Sequence, residues 1–169
     1  LANRNTPSGS DVFIWIGPYD SNTDWTYDNN WADNCSPASA AAGSCPDAPY
    51  NGATIAPEDH QIFIQSGASH CIAPDADLRA YSIYVEEGGE FEARTGRKIE
   101  VDYIKIFEAG TFTAIDNTID VLGALNTDNG NVSWNNAGEF DAGTSKVYFK
   151  NADAAIAGST DFYDVEVPA

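Results

Sequence analysis

Asp20, Asn22 and Asp24 stand at alternate positions in "DSNTD", the spacing with which a helix–loop–helix calcium site opens. A hard cation needs several oxygen donors, and alternate carboxylate and amide side chains converge when a loop curls. The pattern then breaks. Trp25 stands where such a loop needs glycine, and Trp31 where it needs glutamate. The runs 28–30 and 126–131 are further oxygen-rich stretches. Asx-turns use the same residues without any metal. Asp20, Asn22 and Asp24 are the candidate calcium ligands, and no other cofactor is expected.

A second set combines the carboxylates of Asp116, Asp120 and Asp128 with Arg94, Arg97 and Lys98, the one basic cluster. Clustered acids and bases of this kind cleave acidic polysaccharides in long-grooved enzymes, or the bases simply balance nearby acids. The chain carries 26 acidic and 8 basic residues, a net charge of −18. Such a surface repels polyanionic sugars, nucleic acid and anionic membranes. There is no Ser–His–Asp pattern, phosphate loop or dinucleotide fingerprint. The expectation is a protein that is not an enzyme, with neither nucleic acid nor membrane insertion among its partners.

Cys35 and Cys45 bracket "CSPASAAAGSC", a small-residue loop that gains from a staple. A Cys35–Cys45 disulfide and export are expected, with Cys71 the competing partner for either thiol. No CxxC or Cys/His cluster points to zinc, and His60 and His70 are the only histidines.

The elements that would position these groups show themselves as a repeat. "EGGEFEARTGRKIEV", "EAGTFTAIDNTIDV" and "NAGEFDAGTSKVYF" write one phrase three times. Phe91, Phe112 and Phe140 step by 21 and 28. Ile62/Ile64, Ile83/Val85 and Ile104/Ile106 step by 21, and Val132/Trp134 follows 28 later. Leu78/Ala80, Ile99/Val101, Ile119/Val121 and Val147/Phe149 step by 21, 20 and 28. Each pair alternates as strands do. A unit this short buries its apolar side only by stacking on its neighbours.

The expected fold is all-β, a short parallel β-helix (β-solenoid) of about five turns with three short strands per turn. Gly88, Gly89, Gly110 and Gly138 suit its corners because glycine takes left-handed angles freely. The longer step places extra residues in the Asn/Asp/Gly-rich run 122–131. Glu90, Thr111 and Glu139 share one column, and Glu92, Thr113 and Asp141 the next, a threonine separating acids in both. Phe162 extends the column of Phe91, Phe112 and Phe140, and Val165/Val167 extend the Ile62 row. His70 falls in the Phe91 column, or Cys71 does if one residue bulges.

Residues 1–10 are expected as a flexible arm, 11–59 as an N-terminal strand and cap with the disulfide loop, and 60–169 as the repeats. Trp15, Trp25 and Trp31 would pack over the first turn rather than form a sugar platform. The sequence given ends on "DVEVPA" without a polar capping unit. Either the sequence is a fragment of a longer solenoid, or the edge is available for head-to-tail pairing, with Val12, Ile14 and Ile16 of one molecule added beside Val165 and Val167 of another.

"FIWIGPYDSNTDWTYDNNWADN", the corners "GGEF" and "AGTF", and the closing "AIAGSTDFYDVEV" resemble secreted bacterial surface β-solenoids. These are the autotransporter-passenger-like and filamentous-haemagglutinin-like proteins, whose modules open on a W-x-G…NW motif. The resemblance spans most of residues 12–167. It implies an extracellular, cell-surface role in adhesion, matrix or filament formation, and no catalytic residues. The cysteine-bearing insertion at 35–45 departs from the pattern. The functional expectation is a structural, adhesive protein that associates with itself or with other surface proteins and glycans. The alternatives are a non-catalytic carbohydrate-binding module using tryptophans, and a fragment of a polysaccharide-active enzyme.

Overall fold

The computed structural model describes residues 12–15, 31–33, 61–65, 70–125 and 132–168. Among the described residues there is no helix. Their strands in chain order are β1 (Val12–Trp15), β2 (Trp31–Asp33), β3 (Gln61–Ile64), β4 (Cys71–Ile72), β5 (Leu78–Val85), β6 (Glu90–Glu92) and β7 (Lys98–Ile106). After them come β8 (Thr111–Thr113), β9 (Thr118–Val121), β10 (Trp134–Asn136), β11 (Glu139–Asp141), β12 (Lys146–Phe149), β13 (Ile156–Gly158) and β14 (Asp164–Glu166). All of them pair in parallel except β2, which lies antiparallel to β1.

The pairings fall into three rows. The first passes through β1, β3, the second halves of β5 and β7, then β10 and β13. The second passes through the first halves of β5 and β7, then β9, β12 and β14. These two rows share one sheet, and β4, β6, β8 and β11 form another. The chain visits the rows cyclically, so residues about 21 apart in sequence become hydrogen-bonded neighbours. Ile83 faces Ile62 and Ile104, Ile99 faces Leu78 and Ile119, and Phe112 faces Phe91 and Phe140. The acid–threonine–acid columns have the expected register as well.

Three sequence expectations about the strands change. Trp134, not Val132, faces Ile104, and Asn136 faces Ile106. A slip of two residues keeps every side chain on its face, so alternation alone cannot detect it. Val165 faces Val147, which puts β14 in the second row, while Ile156 extends the row of Ile62. Three separate strands per repeat were expected, yet β5 and β7 each run through two rows. No glycine or proline interrupts "AYS" (80–82) or "VDY" (101–103), so the strand bends without ending. The bend shows as two consecutive buried residues, Ser82–Ile83 and Tyr103–Ile104.

Of the corner glycines, Gly88 takes the expected left-handed angle, while Gly89, Gly110 and Gly138 do not. Gly88 has φ of 71°, but the equivalent position in the next repeat is Ala109, at φ of 59°. Gly89, Gly110 and Gly138 are required for space instead. A Cβ on Gly138 would sit 2.3 Å from the carbonyl oxygens of both Gly110 and Phe107. On Gly89 it would lie 2.4 Å from the Ile64 oxygen. Each corner therefore rests its backbone directly on the backbone of an earlier repeat.

Inside, like side chains stack. Phe91 and Phe112 meet edge to face at 4.9 Å, Phe112 and Phe140 at 5.5 Å. Trp134 packs on Phe140 at 4.8 Å, and Phe162 covers both, 5.1 Å from Trp134 and 6.0 Å from Phe140. Trp15 is fully buried in the same core. Trp25, and the whole of residues 1–11 and 34–60, lie outside the described residues. So do the proposed Cys35–Cys45 pair, Ile16, and residues 126–131.

Candidate functional site

Cys71 enters the phenylalanine column opposite Phe91, so the one-residue bulge is realised. Its thiol is free and fully buried, and burial pushes its pKa well up. His70 turns outward and meets Glu92 at 3.0 Å. Neither residue is placed for nucleophilic or metal chemistry.

The basic cluster divides among structural partners. Arg94 donates from Nε to the Ala73 carbonyl at 3.1 Å, an earlier repeat. Arg97 forks onto the Asp75 carboxylate at 3.0 and 2.8 Å. Lys98 bridges Asp120 at 2.8 Å and Glu100 at 2.9 Å, and these two bonds, Asp120 first, raise its pKa. Asp116 accepts from the Gly96 amide. The other oxygen of Asp120 stands at ion-pair distance, 3.5 Å, from Lys150 Nζ and makes no hydrogen bond. The described members of the set named as a catalytic candidate are thus spread along the stack, each held by a structural bond or ion pair. Asp128 lies outside the described residues, as do the calcium candidates Asp20, Asn22 and Asp24. Among the described residues no group of three His, Cys, Asp or Glu side chains is placed to hold a metal, and no helix is long and apolar enough to cross a membrane.

Two buried asparagines were missed from the sequence. Asn117 donates through Nδ2 to the carbonyls of Arg94 and Arg97, at 2.5 and 2.9 Å, and its Oδ1 accepts from the Ile115 amide at 3.0 Å. Its own amide donates to Ser145 Oγ at 2.8 Å. Asn136 repeats the device at another corner, donating to the Ser159 carbonyl and accepting from the Gly138 amide. Buried backbone polar groups need partners, and a corner leaves them without ladder bonds. The available signal was the shared step of 28 from Asn117 to Ser145, the same as from Ile119 to Val147.

The features that point outward from the fold lie at β13 and β14. Each has a strand neighbour on one side only among the described residues. Ile156, Val165 and Val167 are 48%, 44% and 60% exposed, and Tyr163 is 66% exposed. Yet Ile156 and Val165 sit in register with the buried Trp134 and Val147. They are core positions with no further layer above them among the described residues. Beside them, Asp164 and Glu166 share the ammonium of Lys146, at 3.2 and 3.7 Å. Hydrogen bonds to Tyr148 and then Asp164 raise the pKa of Lys146.

At the other end Val12 and Ile14 belong to β1, which is bonded to β3 on one edge and β2 on the other. Ile14 is buried. Donating β1 to another molecule requires it to leave both neighbours. No known protein family, curated protein or solved structure matches the chain.

Proposed function

We propose that the chain is a short parallel β-helix of about five turns, capped at its N-terminal end by β2 and the segment around it. In this reading it is a non-catalytic, extracellular structural protein. It becomes part of a surface filament, matrix or adhesin by accepting a further strand on β14. Resemblance of the sequence motifs to secreted surface solenoids supplies the extracellular setting.

The observation that carries the reading is the uncovered core at β13 and β14. Ile156 stands in the column of buried Trp134, Ile104 and Ile83, and Val165 in that of buried Val147, Ile119 and Ile99, and the strand edge beside them has no partner among the described residues. An open edge flanked by apolar side chains is a template for strand addition. Engagement of Arg94, Arg97, Lys98, Asp116 and Asp120 in structural bonds and ion pairs favours a structural role over catalysis.

The test is retention on the surface of the producing cell. The wild-type protein is expected in the cell-surface fraction, and Val165→Asp in the medium. Ile115→Asp, which alters an exposed apolar residue away from β14, serves as the control. Equal retention of all three proteins overturns the proposal.

A further inference from the structure

The outer face of the second row carries a ladder of charges whose order says what strand fits next. Register places Arg79, Glu100, Asp120, Tyr148 and Glu166 in one outward column. Lys98, Thr118, Lys146 and Asp164 form the column beside it. Charges on neighbouring strands are answered by opposite ones, and where two acids face each other, Glu100 and Asp120, they share the ammonium of Lys98. Arg79 meets Glu100 at 3.0 Å, and Lys98 meets Asp120 at 2.8 Å. Lys150, just past β12, faces Asp120, and Lys146 faces Asp164 and Glu166. From β9 onward the order is acid, base, acid. It stops at β14 with two exposed carboxylates sharing one ammonium, so that edge holds uncompensated negative charge.

Resting on the strand-accepting reading above, we propose that the occupant of the β14 edge is a parallel strand of another protein with a basic–apolar–basic sequence. Its two Lys or Arg side chains stand outward beside Asp164 and Glu166. Its apolar side chain lies inward over Val165, as Val165 lies over Val147. Opposite charges on facing strands attract and like charges repel.

A second copy of this chain fits poorly. Two β14 strands brought together would set Asp164 and Glu166 against the same acids. The first 78 residues hold a single basic residue, Arg4, and "VFIW" and "WAD" of β1 and β2 have none. The stretch of this chain with the right character, Lys146–Val147 in β12, is already paired on both sides.

The experiment uses the full chain and three fluorescent ten-residue peptides, read by anisotropy. One alternates Lys and Val, one Lys and Ser, and one Glu and Val. Lys/Val is expected to bind at least about tenfold more tightly than either of the others, since each of two cross-strand pairs contributes a few-fold. The preference between Lys/Val and Glu/Val is expected to reverse in the double variant Asp164→Lys/Glu166→Lys, whose sites are exposed. Equal binding of Lys/Ser and Lys/Val overturns the proposal, because attraction to a highly acidic surface alone explains it. An unreversed preference in the double variant does the same. Glu/Val binding best, or oligomers of the chain itself that Val165→Asp abolishes, overturns the partner chemistry but leaves strand addition standing. No binding by any peptide, together with unchanged surface retention of Val165→Asp, removes both.

Discussion

Phe112→Ala probes the stacked core where it is densest. The ring is fully buried between Phe91 at 4.9 Å and Phe140 at 5.5 Å, with interplanar angles of 89° and 90°. Truncating a buried Phe costs about 3–5 kcal/mol, through lost transfer energy and the cavity left behind. Each edge-to-face pair adds about 0.5–1.5 kcal/mol beyond burial. Losing two such pairs places Phe112→Ala at the top of that range, about 4–5 kcal/mol. Phe162 is only partly buried, so Phe162→Ala is expected to cost about half as much. In stacked repeats each layer touches mainly its neighbours. A double-mutant cycle should therefore find about 1 kcal/mol between Phe91 and Phe112. Between Phe91 and Phe140 it should find no more than about 0.5 kcal/mol, the usual limit for non-neighbours. Urea unfolding followed by far-ultraviolet circular dichroism gives these values, with constant m as the check on two-state behaviour. A cost below about 2 kcal/mol for Phe112→Ala, or equal coupling in the two cycles, refutes the layered account.

Gly138→Ala is expected to lower stability by more than about 2 kcal/mol, because the new methyl meets two backbone carbonyls at 2.3 Å that cannot rotate away. Gly96→Ala, with φ of 70° and nothing within 4 Å of the added atom, should cost only about 1 kcal/mol of backbone strain. Equal losses in thermal melts would show that space is not what selects glycine at the corners. Ala109→Gly relieves a left-handed alanine at φ of 59° and is expected to stabilise by about 0.5 kcal/mol, the strain relieved less the greater freedom of glycine in the unfolded chain. A lower melting temperature for this variant refutes that reasoning. Burial raises the Cys71 thiol, so the folded protein keeps that proton to higher pH than the unfolded chain. The stability this confers is full below the unfolded thiol's value of about 8.5–9 and is lost as pH rises from there toward the folded value, at up to about 1.4 kcal/mol per pH unit. Cys71→Val should flatten the decline in melting temperature between pH 8.5 and pH 10 (about the range below tyrosine and lysine titration), and an unchanged slope refutes it.

The rows of Leu78, Ile99, Ile119 and Val147, and of Phe91, Phe112 and Phe140, were legible because stacking makes one position's requirement recur at every layer. A column tolerates only side chains that fit the one beneath, so the core is written into the sequence as a step. Where the step lengthens, that reasoning weakens. Val132 and Trp134 share the parity that alternation reports, and only the space available to an indole beside Phe140 distinguishes them. Placing Val165 with Val147 rather than with Ile62 needed the whereabouts of β13, whose "IAG" gives a weak strand signal with one large apolar side chain.

Gly88 aside, the corners were misread for a related reason. Their glycines were assigned to conformation, which is a local property, whereas Gly89 and Gly138 answer to carbonyl oxygens of earlier repeats. Asn117 and Asn136 likewise serve backbone groups of other repeats, which no local pattern displays. The outer charges were half legible. Arg94, Arg97 and Lys98 could be seen to lie among acids, but only the register turns Lys98, Asp120, Lys146 and Asp164 into an ordered ladder. That order matters more than the net charge. A chain at −18 repels its own copies at long range, while one strand edge with unanswered carboxylates and an uncovered valine selects for an opposite pattern at short range. Both effects act against assembly with itself at β14 and in favour of a basic partner there.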